Sequence, residues 1–212
     1  MTRKTAERET RQQFILDAAK RLFADKGIEN TTMEDIAEAS EYTRRTLYAY
    51  FTSRDDICLQ ALIEDMHLRW AEQKLAVADA GTGLAKLVAW AQALYEYVKR
   101  NPASIHLQFY WDYRGVNRIG ISDEVFEKFE DINTELAKGL IAIFKLGVKD
   151  GTIRRDCDIN MTISQFLNSY RGILNRVFTP TYSFAEVKAD EYVEQFIQIF
   201  CRGISGKGDK SL

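Results

Sequence analysis

The chain has 212 residues, of which 46% are hydrophobic and 28% are charged, and its formal net charge is −2. This length and composition predict a globular protein with a substantial core. Only two prolines, Pro102 and Pro180, interrupt long runs of helical periodicity, which predicts an all-α fold. No apolar run approaches the ~20 residues of a membrane span, and the N-terminus lacks the apolar block of a signal peptide. The sequence therefore predicts a cytoplasmic protein with no membrane partner.

The sequence contains few residues of the types that usually serve in catalysis or metal binding. Cys58, Cys157 and Cys201 are widely spaced without a CxxC pair, and His67 and His106 are the only histidines. An odd number of scattered cysteines favours buried, reduced thiols in a reducing compartment. The chain has no Ser-His-Asp or Cys-His arrangement, no GxxxxGK loop and no HExxH motif. We therefore predict that the protein is not an enzyme and needs no cofactor or metal.

At the N-terminus the sequence predicts a charged arm followed by one helix. Residues 1–9 are polar and charged, which favours a frayed arm. Its basic residues are suited either to a solvated tail or to contacts with a DNA backbone. Apolar residues then recur at helical spacing from Phe14 to Phe23, and Gly27 is well placed to end the helix.

Residues 31–51 have the pattern of two short helices joined by a tight turn. Thr31 or Thr32 is suited to cap the first helix, because a threonine hydroxyl can accept from the free backbone N–H groups. The chain breaks around residues 40–42, and Thr43 is placed to cap a second helix that continues to Phe51. This arrangement is typical of a helix-turn-helix.

Arg44 and Arg45 open the second helix, where positive charge meets the positive end of the helix dipole. Fold stability does not explain them, whereas a phosphate backbone or a guanine edge would, because guanidinium groups bind both in a bidentate manner. From Thr43 to Arg54 the chain has three arginines and no acidic residue. The spacing alone leaves a second interpretation open, a surface turn between two packing helices.

Residues 14–57 resemble the DNA-binding head of the TetR family of bacterial transcriptional regulators, through the segments ILDAAKRLFADKG, TTMEDIAEAS and TLYAYFTSRDDI. The resemblance implies a bracing helix, a positioning helix and a recognition helix, followed by a long helix that links the head to a ligand-binding body. Two residues depart from the family pattern, since Glu41 and Arg45 stand where glycine is usual or frequent. A non-glycine residue at a left-handed turn position is strained by roughly 1 kcal/mol.

On this resemblance we expect a two-fold homodimer that binds a near-palindromic operator in double-stranded DNA. Arg44 and Arg45 are the predicted base-reading residues. The other predicted DNA contacts, which would fix the register mainly through phosphates, come from Thr31, Thr32, Thr43, Thr46, Tyr48, Tyr50 and Arg54.

The remaining sequence predicts further helices separated by short breaks. One runs from Thr52 toward Val77, the next from Leu84 to Asn101, and another follows Pro102. After a loop at residues 115–120, a long amphipathic helix runs from Ser122 to Gly151, and Gly139 and Gly147 within it predict a close helix approach.

Rings are concentrated in this part of the chain, with five aromatic or imidazole side chains between His106 and Tyr113. Ordinary core packing is one interpretation and the wall of a small-molecule cavity is the other, because aromatic rings with polar ends often line such cavities. The predicted effector-binding set is Trp90, Tyr97, His106, Phe109, Tyr110, Trp111, Phe126, Phe129, Phe166 and Tyr170.

The last two helices are predicted from Met161 to about Phe178 and from Ala185 to about Ile204. Each is apolar over more of its circumference than one neighbour needs, which indicates a second contact surface. In the resembled family the matching pair forms a four-helix dimer interface. Asn168 and Arg171 are polar residues in the first of them, suited to a ligand or to the partner.

The prediction is thus a head at residues 1–53, a helical effector-binding and dimerisation body at residues 54–205, and a disordered tail at residues 206–212. The predicted function is a homodimeric, sequence-specific DNA-binding regulator whose body binds a small, largely apolar or aromatic effector. Its release from the operator by that effector, as a repressor, is implied by the resemblance alone. One alternative is a ligand-independent DNA-binding adaptor that recruits a protein partner. Another is a pure protein-interaction bundle, for which the basic face would be incidental.

Overall fold

The computed structural model describes residues 3–114, 118–179 and 188–206, with side chains from residue 5 onward. These residues form nine α-helices and no β-strand, which confirms the predicted all-α fold. The helices are α1 (Arg3–Lys26), α2 (Met33–Ala39), α3 (Arg44–Tyr48), α4 (Arg54–Ala78), α5 (Gly83–Arg100), α6 (Ala103–Arg114), α7 (Asp123–Asp150), α8 (Ile159–Phe178) and α9 (Ala189–Ile204).

Contacts gather the chain into two compact units, as far as the structure describes them. The first unit contains Met1–Met66 and His106–Ile132, and the second contains His67–Ile105 and Asn133–Leu212. Helix α4 therefore contributes its N-terminal half to the first unit and its C-terminal half to the second.

Among the described residues, no helix has the length and apolarity that crossing a membrane requires.

The first unit is built around α1. Ile15, Ala18 and Ala19 are fully buried, and Gly27, at φ +85°, ends the helix as predicted. The predicted frayed arm is wrong from Arg3 onward, because α1 begins there. Residues 6–9, AERE, are good helix formers, and they extend a helix that packing has already nucleated.

The turn between α2 and α3 contains the expected strained residue. Glu41 has φ +56° and is the one described residue other than glycine with a positive φ. Its backbone N–H donates to the Glu38 carbonyl at 3.1 Å, and that of Tyr42 donates to the Ala37 carbonyl at 3.0 Å. The turn is thus closed by main-chain bonds that hold Glu41 in the left-handed region.

The second unit packs α5, α8 and α9 through aromatic rings. Phe166 and Tyr170 of α8 are fully buried, and both rings stack on Phe196 of α9 with interplanar angles of 16° and 8°. The Tyr170 hydroxyl donates to the Ala91 carbonyl of α5 at 2.7 Å. This cluster is the core that joins the three helices.

Helix α7 approaches its neighbours closely at its glycines, as predicted. A Cβ atom added at Gly83 of α5 would lie 2.1 Å from the backbone nitrogen of Gly147. A Cβ atom added at Gly139 would lie 2.3 Å from the ring of Trp70 in α4. Any side chain at these glycines would push the helices apart.

Several predictions fall on residues outside the described part of the chain. These are residues 115–117 of the predicted loop, the predicted helix start at Ala185, and residues 207–212 of the predicted tail. Within the described residues, α9 begins at Ala189. The predicted functional division after residue 53 remains a prediction.

The strain at Glu41 gives a testable expectation. Glu41→Gly should raise the free energy of unfolding by roughly 1 kcal/mol, because glycine adopts a positive φ without a Cβ clash. Chemical denaturation of the two proteins measures the difference. Glu38→Gly, the same change at an exposed helical position of α2, is the control and should lower stability. A loss of stability in both variants would contradict the strain at Glu41.

Candidate functional site

The α2–turn–α3 segment is fixed by its own caps. The Thr32 hydroxyl accepts from the backbone N–H of Asp35 at 3.2 Å, and the Asp35 carboxylate accepts from the backbone N–H of Thr32 at 2.7 Å. The Thr43 hydroxyl likewise accepts from the backbone N–H of Thr46 at 3.2 Å. Leu47 of α3 is fully buried, so it anchors the short helix to the core of the unit. These contacts hold the backbone of both helices in one arrangement.

The outer face of α3 is polar and basic. Thr43, Arg44, Arg45 and Tyr48 are exposed, and the Tyr48 side chain is large and aromatic. Arg44 pairs with Glu34 of α2 at 2.6 Å, although both side chains are more than half exposed. An exposed pair of this kind is worth about 0–1 kcal/mol, so Arg44 can exchange Glu34 for an anionic partner at little cost. Arg45 has no acidic partner within the described residues.

Three of the remaining predicted DNA contacts, Thr32, Thr46 and Tyr50, keep part of their surface in solvent. Thr32 is exposed, whereas Thr46 and Tyr50 are half-buried, and the Tyr50 ring lies 5.8 Å from the guanidinium carbon of Arg8 on α1. The Thr43 and Thr46 hydroxyls are 2.9 Å apart and share a hydrogen bond. Thr43 and Thr46 thus lie together at the start of α3, next to Arg44 and Arg45 in the chain.

Thr31 and Arg54 are corrections to the predicted DNA-binding set. Thr31 is fully buried, and its hydroxyl donates to the Gly27 carbonyl at 2.8 Å. The Arg54 guanidinium points into the unit and donates to the carbonyls of Ile28, Glu29 and Thr31 at 3.3, 3.2 and 3.4 Å. Both side chains satisfy backbone groups of the α1–α2 turn, so they have a structural role rather than a place on the outer face.

Arg54 belongs to a polar cluster that joins α4 to α6. The Tyr110 hydroxyl accepts from Arg54 at 2.9 Å and donates to Asp55 at 3.0 Å, and Arg114 forms an ion pair with the same carboxylate. Burial opposes ionisation of Asp55, but the bonds from Arg114 and Tyr110 and the charges of both guanidinium groups outweigh it and lower the pKa of Asp55. Burial, with the nearby Asp55 charge, raises the pKa of Tyr110.

A second cluster joins the turn after α3 to the start of α7. Asp56 is 1% exposed, and its carboxylate accepts from the backbone N–H of Thr52 and from both the N–H and the hydroxyl of Ser122. The hydroxyls of Thr52 and Ser53 donate to the Gly120 carbonyl at 2.8 and 2.6 Å. The sequence does not reveal the bonds to Gly120 and Ser122, because these partners lie more than 60 residues away along the chain.

The predicted effector-binding rings do not all belong to one unit. His106, Phe109, Tyr110, Trp111, Phe126 and Phe129 lie in the first unit, whereas Trp90, Tyr97, Phe166 and Tyr170 lie in the second. In the first unit His106 is exposed, the Tyr110 hydroxyl is occupied by Arg54 and Asp55, and Trp111 contacts Phe129 edge-on at 5.5 Å. In the second, Phe166 and Tyr170 are packed core.

Trp90 differs from the other residues of this set. It is 3% exposed, its ring lies 6.0 Å from that of Phe166, and its indole N–H has no acceptor among the described residues. The indole of Trp70, by contrast, donates to Glu135 at 2.7 Å. A buried donor left without a partner costs about 1–3 kcal/mol. Trp90 is therefore the one ring of the predicted set that buries its polar atom without a partner among the described residues.

Helices α8 and α9 expose apolar side chains in the protomer. Met161 and Ile199 are 61% and 62% exposed, and Tyr192 is 38% exposed. Asn168 is also exposed, whereas Arg171 is half-buried and engaged. The two helices thus retain an apolar surface after their packing within the second unit, as their sequence predicted.

Known proteins share both the head and the whole fold. The family described as "Bacterial regulatory proteins, tetR family" matches residues 15–61. The chain is 26% identical over 204 residues to the HTH-type transcriptional repressor KstR2 of Rhodococcus jostii, covering 95% of this chain and 94% of that protein. These similarities confirm the resemblance of residues 14–57 to the DNA-binding head of the TetR family.

Solved structures extend the likeness of fold to the C-terminal helices. The ketosteroid transcriptional regulator KstR2 of Mycobacterium tuberculosis matches with a TM-score of 0.67 at 20% identity, covering 93% of this chain and 96% of that chain. The fatty acid degradation regulator FadR of Bacillus halodurans matches with a TM-score of 0.69 at 14% identity, covering 90% of this chain and 94% of that chain. At such identities these neighbours show the fold alone.

The polar cluster at Asp55 predicts a specific pH dependence. Because the folded protein lowers the pKa of Asp55, the associated stability is present above the unfolded pKa of about 3.9 and is lost as the pH falls through the lower folded value. Asp55→Asn should lower the free energy of unfolding at neutral pH by about 1–3 kcal/mol. The variant should also lose less stability than the native protein does as the pH falls below about 4. Denaturation at a series of pH values measures both effects.

Asp123→Asn provides the matched control. Asp123 is 92% exposed and pairs with Arg118 at 3.3 Å, so its charge contributes little to stability. The control variant should follow the native pH profile. If the stability of Asp55→Asn followed the native pH profile as well, the ionised Asp55 carboxylate would not be a source of stability in this cluster.

Proposed function

We propose that this chain, whose residues 15–61 match the tetR family of bacterial regulatory proteins, is a homodimeric transcriptional repressor, released from a near-palindromic operator by a small, mostly apolar effector. The observation that carries the DNA-binding part is the exposed face of α3. Arg44 and Arg45 lie there on a helix whose backbone is fixed by Thr43 and by buried Leu47. Preorganised guanidinium groups on a short rigid helix suit recognition in a major groove.

Dimerisation is supported by the apolar surface of α8 and α9. Met161 and Ile199 expose most of their side chains in the protomer, although each lies on a helix whose other face is packed. A two-fold partner would bury this surface, as a self-complementary interface requires. The same symmetry would present two α3 helices to successive major grooves.

The effector is supported by the unpaired indole of Trp90. A buried N–H among rings suits an apolar molecule that carries a hydrogen-bond-accepting oxygen. The names of two neighbours, one for ketosteroids and one for fatty acid degradation, concern molecules that combine an apolar skeleton with a carbonyl or carboxyl oxygen. We infer that the effector of this protein belongs to that chemical class.

The base-reading role of Arg44 is tested on an operator selected from random DNA. Arg44→Ala should reduce the preference for that operator over unrelated DNA by about 5–150-fold, which corresponds to about 1–3 kcal/mol for one bidentate base contact. Affinity of the native protein should also fall by orders of magnitude as salt rises, because phosphate contacts release counterions. Titration by fluorescence anisotropy at several salt concentrations measures both.

Arg100→Ala is the matched control, because Arg100 is exposed to a similar extent and pairs with Glu72 as Arg44 pairs with Glu34. It should retain native operator preference. An operator preference that Arg44→Ala left unchanged would rule out Arg44 as a base-reading residue. A protein that remained monomeric at the concentrations at which it binds would rule out the two-fold operator complex.

The role of Trp90 is tested with androstenedione, a steroid that carries two ketones, and with the parent hydrocarbon androstane. Androstenedione should release the operator from the native protein, and Trp90→Phe should need about a tenfold higher concentration, because one hydrogen bond worth about 1.4 kcal/mol is lost. Androstane should act equally weakly on both proteins. Equal potency of the ketone on the two proteins would contradict the contact, and no release by the ketone would exclude a ketosteroid as the effector.

A further inference from the structure

An open cavity of about 620 Å³ lies in the second unit, where α7 turns into α8 and where α9 ends. Its wall carries three arginines, Arg154, Arg155 and Arg202, and one acidic residue, Asp156. This volume falls within the range of about 300–1,000 Å³ found for small-molecule sites. The cavity contains none of the residues assigned above to DNA or to the effector.

Main-chain bonds fix the two segments that form the cavity. The Arg154 backbone N–H donates to the Ile204 carbonyl at 2.9 Å, and the Gly206 N–H donates to the Thr152 carbonyl at 2.9 Å. Between them, Ile153 is 1% exposed and packs against Gly147 of α7, where an added Cβ atom would lie 2.5 Å from its side chain. Arginines that are 48 residues apart, at 154 and 202, are therefore held on one rigid frame.

The positive charge of the cavity is only partly neutralised. Arg154 binds Asp156 through two bonds, Nε to Oδ1 at 2.6 Å and a terminal nitrogen to Oδ2 at 2.5 Å. The Arg154 bonds lower the pKa of Asp156 to about 2, so this pair stays ionised at neutral pH. Arg155 and Arg202 have no acidic partner in the described part of the chain. Two unpaired guanidinium groups therefore remain on the wall.

We propose that this cavity binds a small, soluble molecule that carries a phosphate or diphosphate group. Guanidinium groups form paired hydrogen bonds to phosphate oxygens, and they lose less hydration than ammonium groups do when they make such bonds. The two unpaired charges of Arg155 and Arg202 match the charge of about −2 on a phosphate monoester. Ile153 and the glycines at positions 151, 203 and 206 also line the cavity, so part of its wall is apolar or uncharged.

The test uses the full-length protein and sodium pyrophosphate. At about 10 mM, a ligand with a Kd on the order of 0.1 mM should raise the Tm by about 5 °C relative to sodium chloride of the same ionic strength. Arg155→Gln combined with Arg202→Gln should abolish this rise and leave the Arg154–Asp156 pair in place. Arg44→Gln combined with Arg45→Gln removes two exposed charges from α3 and should retain the rise.

Three outcomes overturn the proposal. In the first, pyrophosphate does not raise the Tm of the native protein. In the others, both double variants lose the rise in Tm equally, or only the α3 variant loses it. Affinity for unrelated double-stranded DNA provides a separate measurement, which should stay within about twofold of native in the Arg155/Arg202 variant. A much larger fall would make the cavity part of a nucleic-acid surface rather than a small-molecule site.

Discussion

The first unit depends on one guanidinium group at the start of α4. The turn between α1 and α2 leaves the carbonyls of Glu29 and Thr31 outside the helical hydrogen bonds, and the Ile28 carbonyl accepts from the Thr31 N–H at 3.2 Å. A buried carbonyl such as that of Thr31 destabilises the fold when it has no donor. Arg54 donates to all three carbonyls and to the Tyr110 hydroxyl. Arginine suits this position because its planar group carries five N–H donors, more than any other side chain. The position of α2, and with it the tight turn into α3, therefore depends on a residue outside both helices.

The same cluster ties the position of α6 to the first turn of α4. Tyr110 and Arg114 of α6 bind Asp55, and Ser122 before α7 binds Asp56, so both elements are bonded to the first turn of α4. A displacement of α6 must either break these bonds or carry α4 with it. In the second case the donors of Arg54 move relative to the α1–α2 turn. An effector that binds better to the displaced arrangement would shift the population away from the DNA-binding one, by as much as its difference in affinity.

Local patterns in the sequence predicted what depends on local physics. The helices, the cap at Thr43, the helix end at Gly27, the strained Glu41 and the close approach at Gly139 all follow from a few neighbouring residues. The inward direction of Arg54 does not, because its acceptors lie more than 20 residues away and are backbone atoms with no sequence signature. The split of the aromatic residues between two units has the same cause. Helical periodicity predicts which aromatic rings are buried, but not which other rings they contact.

The three tryptophans show why a residue type alone does not define a site. Trp70 and Trp90 are both buried and both carry an indole N–H, yet Trp70 has Glu135 as its acceptor and Trp90 has none among the described residues. Trp111 packs edge-on against Phe129. Phenylalanine at position 90 would avoid burying this donor, so the indole carries a desolvation cost that a purely apolar ring would not. A cost of this kind is expected where a protein keeps a polar atom for a partner that is present only part of the time.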